Sequence, residues 1–182
     1  RLPQLDAKGV SVLEVFRHRV QDQPHFPALI WNDQAISYRE LHLLSNGVAN
    51  ALLKRERFQA GDPVGVWIER SPEVIVSLLG IMKAGGIYVP LDWEYPLERL
   101  QQMCDIVGCE WVIVKQKPTQ ETISGVEYLN INTCIVAEGT DIKTELKPDK
   151  GAYIIFTSGS SGKPKGVKIN HGALLNITRS WQ

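Results

Sequence analysis

Three cysteines in 182 residues are too few to staple this chain, and their spacing suits neither a metal nor a redox pair. Cys104 and Cys109 belong to a helix end and the loop after it, and Cys134 stands alone. An odd number of thiols points to reduced side chains and a cytosolic setting. An excess of charge is also missing: Lys plus Arg and Asp plus Glu number 20 each, so formal net charge is zero. No global field therefore gathers nucleic acid or an anionic membrane, and neither is expected as a partner. No apolar run approaches the roughly 20 residues of a membrane-spanning helix. The first residues lack a signal-peptide pattern, and the chain has no internal repeat or low-complexity tract. What is present is ordinary for a soluble globular protein, 43% hydrophobic and 22% charged. The length suffices to bury a core as one domain.

One stretch stands apart, Ala152 to Asn176, AYIIFTSGSSGKPKGVKINHGALLN. A strand-like run, Tyr153 to Phe156, gives way to ten residues rich in glycine, hydroxyl and lysine: Thr157, Ser158, Gly159, Ser160, Ser161, Gly162, Lys163, Pro164, Lys165 and Gly166. A short apolar alternation returns at Val167 and Ile169, and a helical pattern opens near His171. Glycines allow successive backbone N–H groups to turn toward one point, hydroxyls add rotatable donors and lysines add positive charge. Phosphate oxygens suit all three, since a hydrogen bond to a charged group contributes roughly 1.5–3 kcal/mol. The P-loop pattern GxxxxGK(S/T) is not met: Thr157 stands where its first glycine belongs, and Pro164 follows Lys163. The proline also argues against a helix directly behind the loop. A solvated turn between two strands is the plain alternative to an anion cradle.

The remaining chain alternates strand and helix patterns. Residues 1–10 read as a linker or arm. Ser11 with Glu14 makes a capping box before a helix carrying Val12, Phe16 and Val20, which Pro24 ends at or just before Gln23. Ala28–Trp31 and Ala35–Ser37 flank an Asn32-Asp33 turn signal and predict a hairpin. Ser37 with Glu40 repeats the capping box ahead of a long amphipathic helix through Leu41, Leu44, Val48 and Leu52. Pro63–Ile68 reads as a buried strand. Ser71 is the expected cap of the next helix, with Pro72 at its first position, Val74, Leu78 and Met82 on one face, and Gly85-Gly86 as its stop. Ile87–Leu91 is a further strand, Pro96 starts a helix through Leu100 and Met103, and Trp111–Val114 and Tyr128–Ile131 are strands. This order predicts an α/β fold with a largely parallel sheet covered by helices. A loop directly after Phe156 would sit at a strand's carboxyl end, where such sheets bind ligands. His18 and His42 are expected to serve the surface or packing. His171, at a helix start, is a shaping residue rather than an acid or base.

The run TSGSSGKPKGV resembles the phosphate-binding signature of the adenylate-forming (AMP-binding) enzymes, TSGS(S/T)GxPKG, without a gap from Thr157 to Gly166. Ile36-Ser37-Tyr38-Arg39-Glu40-Leu41 resembles the first core motif of the peptide-synthetase branch, L(S/T)YxEL. Met82 to Asp92, MKAGGIYVPLD, resembles the second, LKAGxAYVP(I/L)D. Glu69-Arg70-Ser71-Pro72 and Tyr95 to Leu100 also look typical, so the similarity runs from about Ser11 to Asn176. Departures are mild: Ile36 and Met82 for Leu, Ile87 for Ala, Trp93 where Pro is frequent, and Ser161 where Thr is common. The segments around Tyr38, Glu40 and Lys83–Asp92 are read as caps, turns and packing.

The resemblance implies the N-terminal part of the large subdomain of a nonribosomal peptide synthetase adenylation domain, over residues 11–182. Such enzymes activate a carboxylate with Mg-ATP, giving an acyl-adenylate and pyrophosphate, then pass the acyl group to a phosphopantetheine thiol on a carrier protein. Thr157, Ser158, Gly159, Ser160, Ser161, Gly162, Lys163, Lys165 and Gly166 would hold the ATP phosphates. No residue of these 182 matches the family's catalytic lysine, which lies in its C-terminal subdomain, and no metal ligand is expected here. ATP and Mg2+ are expected only with the remainder of the domain, and this stretch alone is expected to be inactive. The favoured substrate is an amino acid or other small carboxylate. A coenzyme A ligase and a noncatalytic binding module that keeps the fold are the alternatives.

Overall fold

In the computed structural model, the described residues are 11–118, 122–135, 141–142, 146–158 and 164–179. The expected linker, residues 1–10, lies outside them. The helices are α1 (Val12–Asp22), α2 (Tyr38–Leu53), α3 (Pro72–Lys83), α4 (Leu97–Val107), α5 (Ile131–Ile135) and α6 (His171–Arg179). The strands are β1 (Pro27–Trp31), β2 (Gln34–Ser37), β3 (Pro63–Trp67), β4 (Ile87–Pro90), β5 (Trp111–Val114), β6 (Glu127–Asn130), β7 (Gly151–Ser158) and β8 (Pro164–Asn170).

Local chemistry sets most element ends. Ser11 Oγ accepts the Glu14 N–H at 3.2 Å while Glu14 Oε2 accepts the Ser11 N–H at 2.7 Å. Ser37 and Glu40 repeat the exchange at the start of α2. The β1–β2 hairpin turns on Asn32 and Asp33 with φ of +47° and +63°. Two left-handed central residues make the primed turn whose twist matches that of paired strands. Gly85, at φ +81°, ends α3. Ser71 differs from expectation: it occupies the cap position of α3, but its hydroxyl makes no cap hydrogen bond. Pro72 at the first turn fixes that helix start, having no N–H to satisfy.

Six strands form one sheet in the order β6-β5-β3-β4-β7-β8, and β1 and β2 form a separate pair. Neighbours from β6 to β7 run parallel. β8 alone runs antiparallel, against β7. Alternation along each strand divides the core between two faces. Val64, Val66, Trp111, Ile113 and Leu129 join the core cluster that includes residues of α1, α2, α3 and α5. Ile87, Val89, Val112, Val114 and Ile154 join the cluster with Leu100, Met103 and Cys104 of α4. All four residues of β5 are buried, as a strand covered on both sides requires.

Several strand ends shift by a residue, β3 ending at Trp67 and β4 at Pro90 instead of Ile68 and Leu91, and two shifts bear on neighbouring elements. The expected strand Tyr128–Ile131 ends at Asn130, and Ile131 opens α5, where Asn130 Oδ1 accepts the Asn132 N–H at 2.9 Å. The strand entering the glycine-rich stretch continues past Phe156 to Ser158, because Thr157 and Ser158 pair with Lys165 and Pro164. The two ends of the glycine-rich stretch are therefore paired strand, β7 and β8 forming an antiparallel hairpin.

Candidate functional site

The β7–β8 hairpin lies at the edge of the sheet, with its loop end on the carboxyl side of the parallel strands, where parallel sheets bind ligands. Thr157 faces Lys165 and Phe156 faces Gly166 across the ladder. Directly opposed residues share a face, with Cβ atoms typically about 5 Å apart. Thr157 and Lys165 are both exposed, so a hydroxyl and an ammonium meet at the root of the loop on one face. Ser158 ends β7 in register with Pro164. Gly159, Ser160, Ser161, Gly162 and Lys163 lie outside the described residues. A Cβ on Gly166 would stand 3.2 Å from Ile154 Cγ2 and 3.4 Å from a Phe156 ring carbon, so packing of β8 onto β7 accounts for that glycine.

Beside the hairpin a cleft of about 890 Å³ follows the carboxyl ends of β3, β4 and β7, with Trp31, Ile68, Tyr88, Trp93, Ile155 and Phe156 among its walls. Its size falls in the range of small-molecule sites. Burial pushes the Tyr88 hydroxyl up to about 12. Among the described residues no group of three or more His, Cys, Asp or Glu side chains is gathered to hold a metal ion. No helix among them is long and apolar enough to cross a membrane.

A second polar centre was not expected from the sequence. Lys83, only 4% exposed, donates from Nζ to Asn46 Oδ1 at 2.7 Å, Ser45 Oγ at 2.8 Å and the His42 carbonyl at 3.0 Å. Its Nζ also lies 3.3 Å from His42 Nδ1, which leaves Nε2 to face Asp141 Oδ1 at 3.4 Å. Burial pulls the Lys83 ammonium down to about 7, Asp141 opposing and Arg17 adding to the drop. Burial, then Lys83, likewise lowers His42. This cluster pins α3 to α2 on the face of the sheet that those helices cover, so Lys83 serves packing, as read from the sequence. Only its inward aim was illegible, because a lysine in a last helical turn ordinarily reads as a partner of the helix dipole.

The other expectations resolve simply. His18 is exposed. His171 is 2% exposed at the start of α6, its N–H bonded to the Lys150 carbonyl at 3.0 Å, and burial lowers its pKa. The three cysteines are buried and free. Cys104 lies in α4 and Cys109 in the loop after it, its Sγ donating to the Trp111 carbonyl at 3.1 Å.

Fold and site together define an α/β protein that presents a hydroxyl- and lysine-flanked loop at the carboxyl edge of its sheet. The family model described as "AMP-binding enzyme" matches residues 16–182, and the chain belongs to that family. It is 37% identical over 171 residues to gramicidin S synthase 2 of Brevibacillus brevis, a match covering 93% of this chain and 4% of that protein. Among solved structures it is similar to the NpsA-ThdA artificially fused adenylation-PCP di-domain from Klebsiella oxytoca, with TM-score 0.77 and 31% identity over 88% of this chain and 32% of that one. It is also similar to the nonribosomal peptide synthetase FmoA3 in its AMPPNP-bound form, with TM-score 0.84 and 28% identity over 95% of this chain and 18% of that one. The chain thus spans a small part of the length of the relatives it matches.

Proposed function

We propose that residues 11–182 form the N-terminal portion of an amino-acid-activating adenylation domain, preceded by a linker. The whole domain would use Mg-ATP to join a carboxylate to AMP, releasing pyrophosphate, and would then deliver the acyl group to a phosphopantetheine thiol of a carrier protein in the cytosol. The observation that carries this reading is the β7–β8 hairpin, which sets Thr157 opposite Lys165 at the carboxyl edge of the sheet. The adenylation-PCP fusion among the similar structures supports the carrier protein as acceptor, and the AMPPNP-bound form supports ATP as co-substrate.

The residues on this chain would act by position and charge. Thr157, Ser158 and Lys165 would hold the triphosphate from the loop's root, with Gly159, Ser160, Ser161, Gly162 and Lys163 supplying the loop and Gly166 keeping β8 close against β7. Donors aimed at phosphate oxygens orient the α-phosphorus toward the carboxylate and stabilise the charge that grows on departing pyrophosphate. Magnesium would screen the phosphates and be held by the triphosphate itself. The catalytic lysine would come from the remainder of the domain, so this chain alone would not turn over.

Carboxylate-dependent ATP–pyrophosphate exchange over a panel of amino and other acids tests this reading. It should be run on the 182-residue chain and on a parent extended through the whole domain. Exchange by the parent alone, with one acid preferred, is the expected result and names the substrate. A folded parent that exchanges with no acid overturns the enzyme reading in favour of a binding module. A parent that exchanges but charges coenzyme A rather than a carrier protein overturns the acceptor.

A further inference from the structure

We propose that Arg99, held by stacking on Tyr95, is a further phosphate-binding residue at the root of the β7–β8 hairpin. This rests on the adenylation reading above. α4 packs along β8: a Cβ on Gly166 would stand 3.5 Å from Val107 Cγ1. Toward the carboxyl edge the two elements enclose a cavity of about 200 Å³ lined by Pro96, Glu98, Arg99, Gln102 and Pro164. Pro164 is the first residue of β8, and Lys163 precedes it in sequence. The guanidinium carbon of Arg99 stands 4.1 Å from the Tyr95 ring centroid. Among the described residues no carboxylate pairs with Arg99, although Arg55 and Arg57 pair with Glu127 and Glu110 at 2.7 and 3.4 Å. Arg99 Nε is also buried there without a hydrogen-bond acceptor.

A stacked guanidinium is a preorganised fork whose planar donors match phosphate oxygens, and stacking lowers the entropy lost when it binds. The ligand chemistry is a polyphosphate: the β- and γ-phosphates of ATP, or free pyrophosphate after the first step. Glu98, which lines the same cavity, sets a negative charge at its rim and opposes that anion. Tyr95 acts through Arg99 and is a positioning residue.

The test is ATP–pyrophosphate exchange by the extended parent, with KM measured separately for ATP, pyrophosphate and the activated acid. Arg99→Ala is expected to raise KM for ATP or pyrophosphate about tenfold and leave KM for the acid unchanged. A rise for ATP alone places the guanidinium on the bound triphosphate, and a rise for pyrophosphate alone places it on the product. Arg99→Lys should recover part of the loss, Tyr95→Phe should keep the wild-type polyphosphate KM because the ring remains, and Tyr95→Leu should mimic Arg99→Ala more weakly. Glu98→Gln should lower KM for the polyphosphate. An active wild type with unmoved polyphosphate KM in a folded Arg99→Ala variant overturns this inference alone, as does an equal rise in KM for the acid. If Arg99→Ala fails to fold, Arg99→Lys and Glu98→Gln decide the matter by the same two constants. A folded wild-type parent that exchanges nothing overturns the adenylation reading and this inference with it.

Discussion

Thr157 and Lys165 stand directly opposite one another across an antiparallel ladder, although seven residues of chain lie between them. The pairing makes a hydroxyl and an ammonium near neighbours on one exposed face, a relationship fixed by the backbone register. Any anion held at the loop's root meets both.

Lys165→Ala in the extended parent should therefore weaken polyphosphate binding. One lost charge-assisted hydrogen bond of about 1.5–3 kcal/mol corresponds to a rise in KM for ATP of roughly 10- to 100-fold. KM for the activated acid should stay level. Initial-rate exchange kinetics check it, and an unchanged KM for ATP would remove Lys165 from the site.

Lys83 predicts a pH dependence of stability. Its folded pKa is about 7, against an unfolded value of about 10.4. Below 7 both states hold the proton, and the charged form is carried at a cost in the folded chain. Between about 7 and about 10 the unfolded chain holds a proton that the folded chain has released, so stability rises with pH by up to about 1.4 kcal/mol per unit. Lys83→Met should flatten that slope, since its apolar side chain does not titrate. Urea melts of the parent at several pH values from 6 to 10 give the comparison, and equal slopes would contradict the assignment.

Gly80 marks the closest approach of α2 and α3. A Cβ there would stand 2.5 Å from Val48 Cβ and 2.9 Å from the Ser45 carbonyl oxygen. Gly80→Ala would ordinarily strengthen a helix, yet here it forces the helices apart and should cost roughly 1–3 kcal/mol. Adding Val48→Ala should recover little of the loss, because the Val48 Cβ and the Ser45 carbonyl both remain. Urea midpoints measure both, and a stabilised single variant would refute the packing.

The β1–β2 turn offers a gain. Asp33 adopts φ +63°, a conformation that costs a residue with a Cβ more than it costs glycine. Asp33→Gly creates the Asn-Gly pair that such turns favour and should raise stability by a few tenths of a kcal/mol up to about 1. A thermal melt of the parent reads the shift, and a lower midpoint would show that Asp33 contributes more than its backbone.

Much of the fold is fixed by features that act within a few residues. Capping boxes at Ser11 and Ser37, the Asn32-Asp33 turn, Pro24 and Gly85 each place an element end through local hydrogen bonds or sterics. The alternation of strand and helix patterns was sufficient to give a largely parallel, covered sheet. The signature from Thr157 to Gly166 marked the family, and the family model agrees. The order of strands, the antiparallel seat of β8 and the burial of Lys83 came from the tertiary structure. Each depends on residues distant in sequence: Lys83 finds its acceptors on α2 some 40 residues earlier, and Thr157 enters a strand only because Lys165 pairs with it. Ser71 shows the converse, a correct position whose cap hydrogen bond did not form. Local propensity sets which segments become helix or strand, whereas the competition among packing partners for buried acceptors and apolar faces settles where they lie and which polar groups end up inside.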